Sequence, residues 1–303
     1  MKKIMIIMAA VLLGLQASAQ TEQEFKDRYN RQVTAVGASG VGVETILDKW
    51  QKAFPESREA MEARFSFYLS KSMSENVTVK EQSRFLGAEP MFSLNDSLGR
   101  KVNYFREFMY DDEVFGKAIK VLDEAVEKYP CDLAFRFDRI SAYLAYEKES
   151  PDMASREILA LIEYDNSRHP AWDSRGETVP DDYFTSGIQE YCYSLFSIGS
   201  PVSYEAFRTI SETMNRLQPK NTVFLSNLGT YWLVAAKNNS KALSYYKKVL
   251  KIAPKDYPAI KNCVLMARND KNVKLEKKYL PLLIEVTPSE AEKIAAEARL
   301  KKL

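Results

Sequence analysis

The chain has 303 residues, 28% of them charged and 12% aromatic, with a formal net charge of +2. Near-neutrality excludes a general nucleic-acid binder, which needs a basic footprint. A single histidine, His169, excludes histidine–cysteine and multi-histidine metal centres, and no cofactor signature is present.

Lys2 and Lys3 precede an apolar run over 4–15, and Ala17-Ser18-Ala19 supplies a small-x-small cleavage site. The run falls short of the roughly 20 residues that span a bilayer. Residues 1–19 therefore read as a secretory signal, and 20–303 as an exported, soluble chain of the periplasm, the medium or outer-membrane vesicles. No cysteine lies at the cut to carry a lipid. Loss of Lys2 and Lys3 leaves 41 basic against 41 acidic residues. Cys131, Cys192 and Cys263 have no metal-ligand spacing, and an odd count in an exported chain leaves at least one unpaired. Buried free thiols or one long-range disulfide are the alternatives.

Period-3.6 patterning and helix breakers predict helices at 21–36, 42–54, 56–72, 100–111, 114–129, 132–148, 152–164, 182–197, 203–218, 222–236, 239–252, 257–269, 273–285 and 288–301. No strand-period run of useful length stands out. Gly37-Ala38-Ser39-Gly40-Val41-Gly42 lacks the ending of a phosphate loop and reads as a connector. Asp111-Asp112-Glu113 and Asp181-Asp182 precede helices, where acidic groups favour the dipole. Thr287-Pro288-Ser289-Glu290 has capping-box spacing with proline at the first helical position, opening a final helix that caps the array. Two stretches break the rhythm, Ser72–Gly99 and Asp165–Pro180.

Residues 221–254 form the clearest repeat unit. Leu228, Gly229 and Trp232 share one helical face; Ala242 and Tyr246 share another, and Pro254 ends the second helix. In this reading Gly229 faces Ala242 where the two helices meet. Ala118, Leu122, Ala125 and Pro130 repeat the second-helix spacing; Val43, Leu47, Trp50 and Pro55 do so more loosely. Pro219, Pro254 and Pro288 stand 35 and 34 residues apart. This pattern resembles the tetratricopeptide repeat, here in an exported chain of the Bacteroidota type. The resemblance implies an all-α fold, an α-solenoid or superhelix of about six or seven helical pairs. It is read as one continuous array over 20–303, with possible division near 73–99 and 165–180. It also implies a non-enzymatic interaction protein and names no partner.

Charge is segregated: residues 101–190 carry 11 Lys/Arg against 20 Asp/Glu, and residues 237–280 carry 12 against 3. Solvated faces, two partner surfaces of opposite sign, or head-to-tail self-association all fit this. A basic groove of Lys247, Lys248, Lys251, Lys255 and Lys261 is expected to receive a protein or peptide with an acidic segment. Trp172 and Arg175, in the loop with His169, are candidate partner anchors. A glycan-binding accessory protein is the alternative, using aromatic groups such as Tyr191, Tyr193 and Phe196 or Tyr231, Trp232, Tyr245 and Tyr246. A hydrolase would have to rest on His169 alone. Asp96-Ser97-Leu98 resembles the O-glycosylation acceptor of Bacteroidota, making Ser97 a candidate acceptor.

Overall fold

The computed structural model describes residues 21–303; the predicted leader, 1–19, lies outside the described residues. The architecture is an all-α, solenoid-like succession of helical hairpins with a three-stranded sheet and a two-stranded one inserted. Two compact units are present. One runs through Asn76 and takes in Phe108–Phe135; the other is Val77–Glu107 with Arg136–Leu303.

In the first unit, α1 (Glu22–Val36) pairs with α2 (Val43–Ala53), and α3 (Arg58–Ser72) with α4 (Asp112–Lys128). Residues 37–42 connect α1 to α2. Phe25, Val43, Leu47, Trp50, Ala60, Ala63 and Phe67 form one core cluster. Ala118, Leu122 and Ala125 of α4 are fully buried. Asp111 caps α4, accepting the Val114 amide at 2.9 Å, with Asp112 and Glu113 in the first turn.

Between α3 and α4 lie three strands, β1 (Met73–Lys80), β2 (Phe92–Asn95) and β3 (Lys101–Tyr110), in the order β1-β3-β2. The helix expected at 100–111 is therefore a strand, and the expected absence of strands is corrected. β3 pairs antiparallel with β2, Phe92 opposite Tyr104 and Leu94 opposite Val102. The Asp111 amide donates to the Ser72 carbonyl at 2.8 Å, closing the base of the insertion. Alternation is hidden in β3 because the buried side carries a polar residue, Asn103, beside Phe105. Its amide donates to the Glu81 and Gln82 carbonyls at 3.1 and 2.8 Å, and its oxygen accepts from Ser93 Oγ at 2.6 Å. Those three bonds satisfy a buried amide that a pattern reader scores as solvent-facing.

The second unit holds most of α5 (Leu133–Glu147) with α6 (Asp152–Arg168), a short β-hairpin of β4 (Asp173–Ser174) and β5 (Glu177–Thr178), then α7 (Tyr183–Ile198), α8 (Pro201–Leu217), α9 (Thr222–Val234), α10 (Asn239–Ile252), α11 (Tyr257–Asn269), α12 (Val273–Val286) and α13 (Glu290–Leu300). The last helix is capped by Ser289, whose Oγ accepts the Glu292 amide at 3.3 Å. The boundary thus lies two residues past the expected one: Pro288 sits between the helices, and Thr287 closes α12 instead of opening α13.

A shared turn links hairpin to hairpin. Pro55, Pro130, Pro170, Pro219, Pro254 and Pro288 each stand two residues beyond the end of α2, α4, α6, α8, α10 and α12. The intervening Phe54, Tyr129, Gln218 and Ala253 hold φ between −124° and −132° and ψ between 67° and 86°. The following proline bars these residues from the helical region. Two residues after four of the prolines, Ser57, Asp132, Asn221 and Asp256 accept a backbone amide of the next helix at 2.9–3.0 Å.

Gly229 meets Tyr246 rather than Ala242: a Cβ there would lie 2.7 Å from the ring. Tyr246 is fully buried, and its hydroxyl bonds Thr230 Oγ1 and Asn262 Nδ2 at 3.0 Å each, joining α9, α10 and α11. Leu228 and Ala242 are buried with it; Trp232 is half-buried under the Lys241 ammonium, and Pro254 is exposed. Gly229→Ala should cost about 1–3 kcal/mol through overpacking, read as a lower urea midpoint at unchanged slope.

The Glu276 carboxylate, 1% exposed, ties α13 to α12. It accepts from Arg299 at 2.9 Å and from Arg268 at 3.0 Å. The Arg299 hydrogen bond is the largest cause holding its pKa below the ordinary 4.5, with Arg268 assisting against burial. This contribution is complete above pH 4.5 and is lost as pH falls through the lowered native value. Glu276→Gln should speed exchange of the α13 amides roughly tenfold to a hundredfold near neutral pH, from ~1.5–3 kcal/mol for a hydrogen bond to a charged group. The wild type should approach the variant on acidification.

Candidate partner-binding surfaces

The five lysines expected to form one groove are separated by the structure. Lys247, Lys248 and Lys251 lie exposed on α10 and make no ion pair among the described residues; Lys248 Nζ sits 4.8 Å from the Tyr245 ring centroid. Lys255 lies in the turn after α10 and pairs with Glu285 at 2.7 Å. Lys261 belongs to α11, pairs with Glu292 at 3.0 Å and donates to the Tyr257 hydroxyl at 2.9 Å. Of the five lysines, the three on α10 are the ones without an ion pair among the described residues. Sequence proximity concealed the partners, since Glu285 and Glu292 lie 30 and 31 positions further along the chain.

Trp172 is half-buried inside the fold. Its indole stacks on Phe184 at 6.0 Å and 5°, and Nε1 donates to Asp165 Oδ1 at 2.8 Å. The buried Arg136 guanidinium lies 4.3 Å over Tyr164 and 5.6 Å from Trp172. The indole therefore pins its own loop, and it also lines the cavity beside His169. Arg175 stands exposed at the tip of the β4–β5 hairpin with φ 55°. His169 caps α6 in the left-handed region and lines a cavity of about 460 Å³ with Asp165, Asp181 and Thr185. It makes no side-chain hydrogen bond to a hydroxyl or carboxylate there. No group of three or more His, Cys, Asp or Glu side chains is arranged to hold a metal among the described residues.

The aromatic residues considered for a glycan groove are dispersed. Of the seven, only Tyr193 is exposed; Tyr231 and Tyr246 are buried, and Phe196 packs on Tyr204 and Phe207. Ser97 is exposed in the β2–β3 turn, where Asp96 Oδ1 accepts the Leu98 and Arg100 amides at 2.8 Å each.

A further recess lies between α5 and α7. One part, about 460 Å³, is lined by Phe137, Ser141, Tyr183, Gly187, Glu190 and Ser194, among others. A second part, about 350 Å³, shares Ser141, Tyr191 and Ser194 and continues to Leu86, Lys148 and Ile198. Tyr191 fixes the floor: its hydroxyl donates to the Phe137 carbonyl at 2.7 Å and lies 3.1 Å from Ser141 Oγ. Burial raises its pKa well above the ordinary tyrosine value. Of this recess, sequence reasoning named only Tyr191, as a candidate groove aromatic. Its trace is there, with small or hydroxyl residues at 186, 187 and 194 spaced along one helix face from Tyr183.

No protein-family model matches the chain, and no curated protein matches it. Among solved structures it is similar to Pseudomonas aeruginosa PilF, 17% identical with a TM-score of 0.41, over 62% of this chain and 76% of PilF. It is also similar to MamA, 13% identical with a TM-score of 0.33, over 63% of this chain and 93% of MamA.

All three cysteines are free thiols. Burial pushes Cys192 up to about 12 and Cys263 up to about 11, while Cys131 is partly exposed. A thiol-disulfide reagent near neutral pH should titrate one group quickly in the native protein and three after denaturation.

Proposed function

We propose that this chain is an exported, non-enzymatic scaffold that holds a protein or peptide partner carrying an acidic segment. The observation behind this reading is the α10 ridge. Lys247, Lys248 and Lys251 are exposed and free of internal ion pairs, within a stretch of 12 basic against 3 acidic residues. A partner carboxylate there displaces water without breaking an existing pair, so attraction is offset by little internal loss. The short apolar leader and its Ala17-Ser18-Ala19 site support export to the periplasm or the medium.

The test is a crosslinking capture from envelope and culture fractions with residues 20–303, beside the Lys247→Glu/Lys248→Glu/Lys251→Glu variant. An acidic protein held by the wild type, released as salt rises and lost in the variant is the expected result. Retention of polysaccharide and no protein would overturn the scaffold in favour of glycan binding.

A further inference from the structure

We infer that the recess between α5 and α7 is a second docking site, for an extended peptide bearing a large apolar side chain next to a lysine or arginine. This rests on the scaffold reading but uses a different surface and a partner of opposite charge. The helices touch at Gly187, where a Cβ would overlap the Phe137 ring, and the recess opens on either side of that contact. On one side the Phe137 and Tyr183 rings lie 6.1 Å apart at 38°, making an apolar wall. Glu190 stands exposed beside them, one α7 turn before Ser194, whose hydroxyl donates to the Glu190 carbonyl at 3.0 Å. The Glu190 carboxylate has no ion pair or hydrogen bond among the described residues.

The opposite end is closed by the inserted sheet's own loop. Leu86 reaches the recess from a turn with φ 51°, and Gly87 is so close to Ser197 that a Cβ would lie 3.0 Å from it. Lys148, the basic residue at that end, is held by Glu107 at 2.5 Å. The recess is thus apolar-walled and blocked at one end, and Glu190 is its unpaired charge. An apolar side chain gains by leaving water against the rings, and a neighbouring cation gains from Glu190. An acidic segment suited to α10 would meet the like charge of Glu190 here.

The probe is a displayed random dodecapeptide library, selected on residues 20–303 and counter-selected on Ser194→Trp, which fills the recess from an exposed position. Enriched peptides, remade with a fluorophore, are measured by anisotropy against the wild type, Glu190→Lys and the three-lysine α10 variant, with circular dichroism confirming each fold. The expected result is a motif pairing an aromatic or large aliphatic residue with Lys or Arg. Its affinity should fall roughly tenfold or more in Glu190→Lys and stay within about twofold in the α10 variant. No enrichment, an acidic motif, or equal affinity for Glu190→Lys would overturn the inference. The two readings fail separately. If peptides bind but ignore Glu190→Lys, this site fails and the α10 ridge is untouched. If the α10 variant captures the same protein while the motif peptides behave as expected, the ridge fails and this site stands.

Discussion

A proline placed two residues past the second helix of each hairpin is the constraint on which the rest depends. It removes an amide donor and excludes the preceding residue from the helical region, so the chain turns within one residue. Phe54, Tyr129, Gln218 and Ala253 share one backbone conformation despite having unrelated side chains, whereas His169 before Pro170 is left-handed and Thr287 before Pro288 is extended at φ −64°. The next helix then starts from a capping Ser, Asp or Asn two residues on. Because the turn is fixed by backbone sterics and a cap, the flanking helices are free to diverge. That explains how repeats so faint in sequence keep the same local geometry.

Such an arrangement tolerates insertions at turns and resists them inside helices. The α3–α4 turn carries a three-stranded sheet, closed at its base by the Asp111–Ser72 backbone bond. The link from α6 to α7 instead carries a small hairpin pinned by Trp172. The first insertion has a consequence inside the second unit, because its loop at Leu86 and Gly87 closes one end of the α5–α7 recess. Extra chain at a hairpin turn therefore shapes a surface that the helices alone would leave open.

Legibility in the sequence followed the physics of each feature. Helices with an apolar stripe were readable because burial on one face has a period, as with Ala118, Leu122 and Ala125 on α4. The proline rhythm was readable at Pro219, Pro254 and Pro288 from their spacing and at Pro55 and Pro130 from the helix pattern before them, and Pro170 escaped because the hairpin after it lengthens the interval to Pro219. β3 was misread since its buried side alternates Phe105 with Asn103, a polar residue satisfied by three bonds from other segments. The contact opposite Gly229 was misassigned for a related reason. Spacing says that a close approach exists, but only packing says that the Tyr246 ring fills it. The α5–α7 recess depends on two helices some 50 residues apart, and no local pattern reports that juxtaposition.

Charge runs carry a further lesson about what a surface offers a partner. The basic stretch over 237–280 looks uniform in sequence, yet two of its lysines already have carboxylates, Glu285 for Lys255 and Glu292 for Lys261. These exposed pairs are screened by solvent and add little to stability. They still matter for recognition, because a partner must compete with a carboxylate already in place. The same holds in the acidic stretch, where Glu107 is engaged by Lys148 while Glu190 is not. Net charge along a segment thus overstates what is available; Lys247, Lys248 and Lys251 on α10 and Glu190 on α7 are among the charges without an ion pair, have opposite signs and lie on different helices. A head-to-tail contact between copies would have to satisfy both surfaces at once. An acidic partner on the α10 ridge and a cation beside Glu190 would each meet a charge that no internal partner already holds.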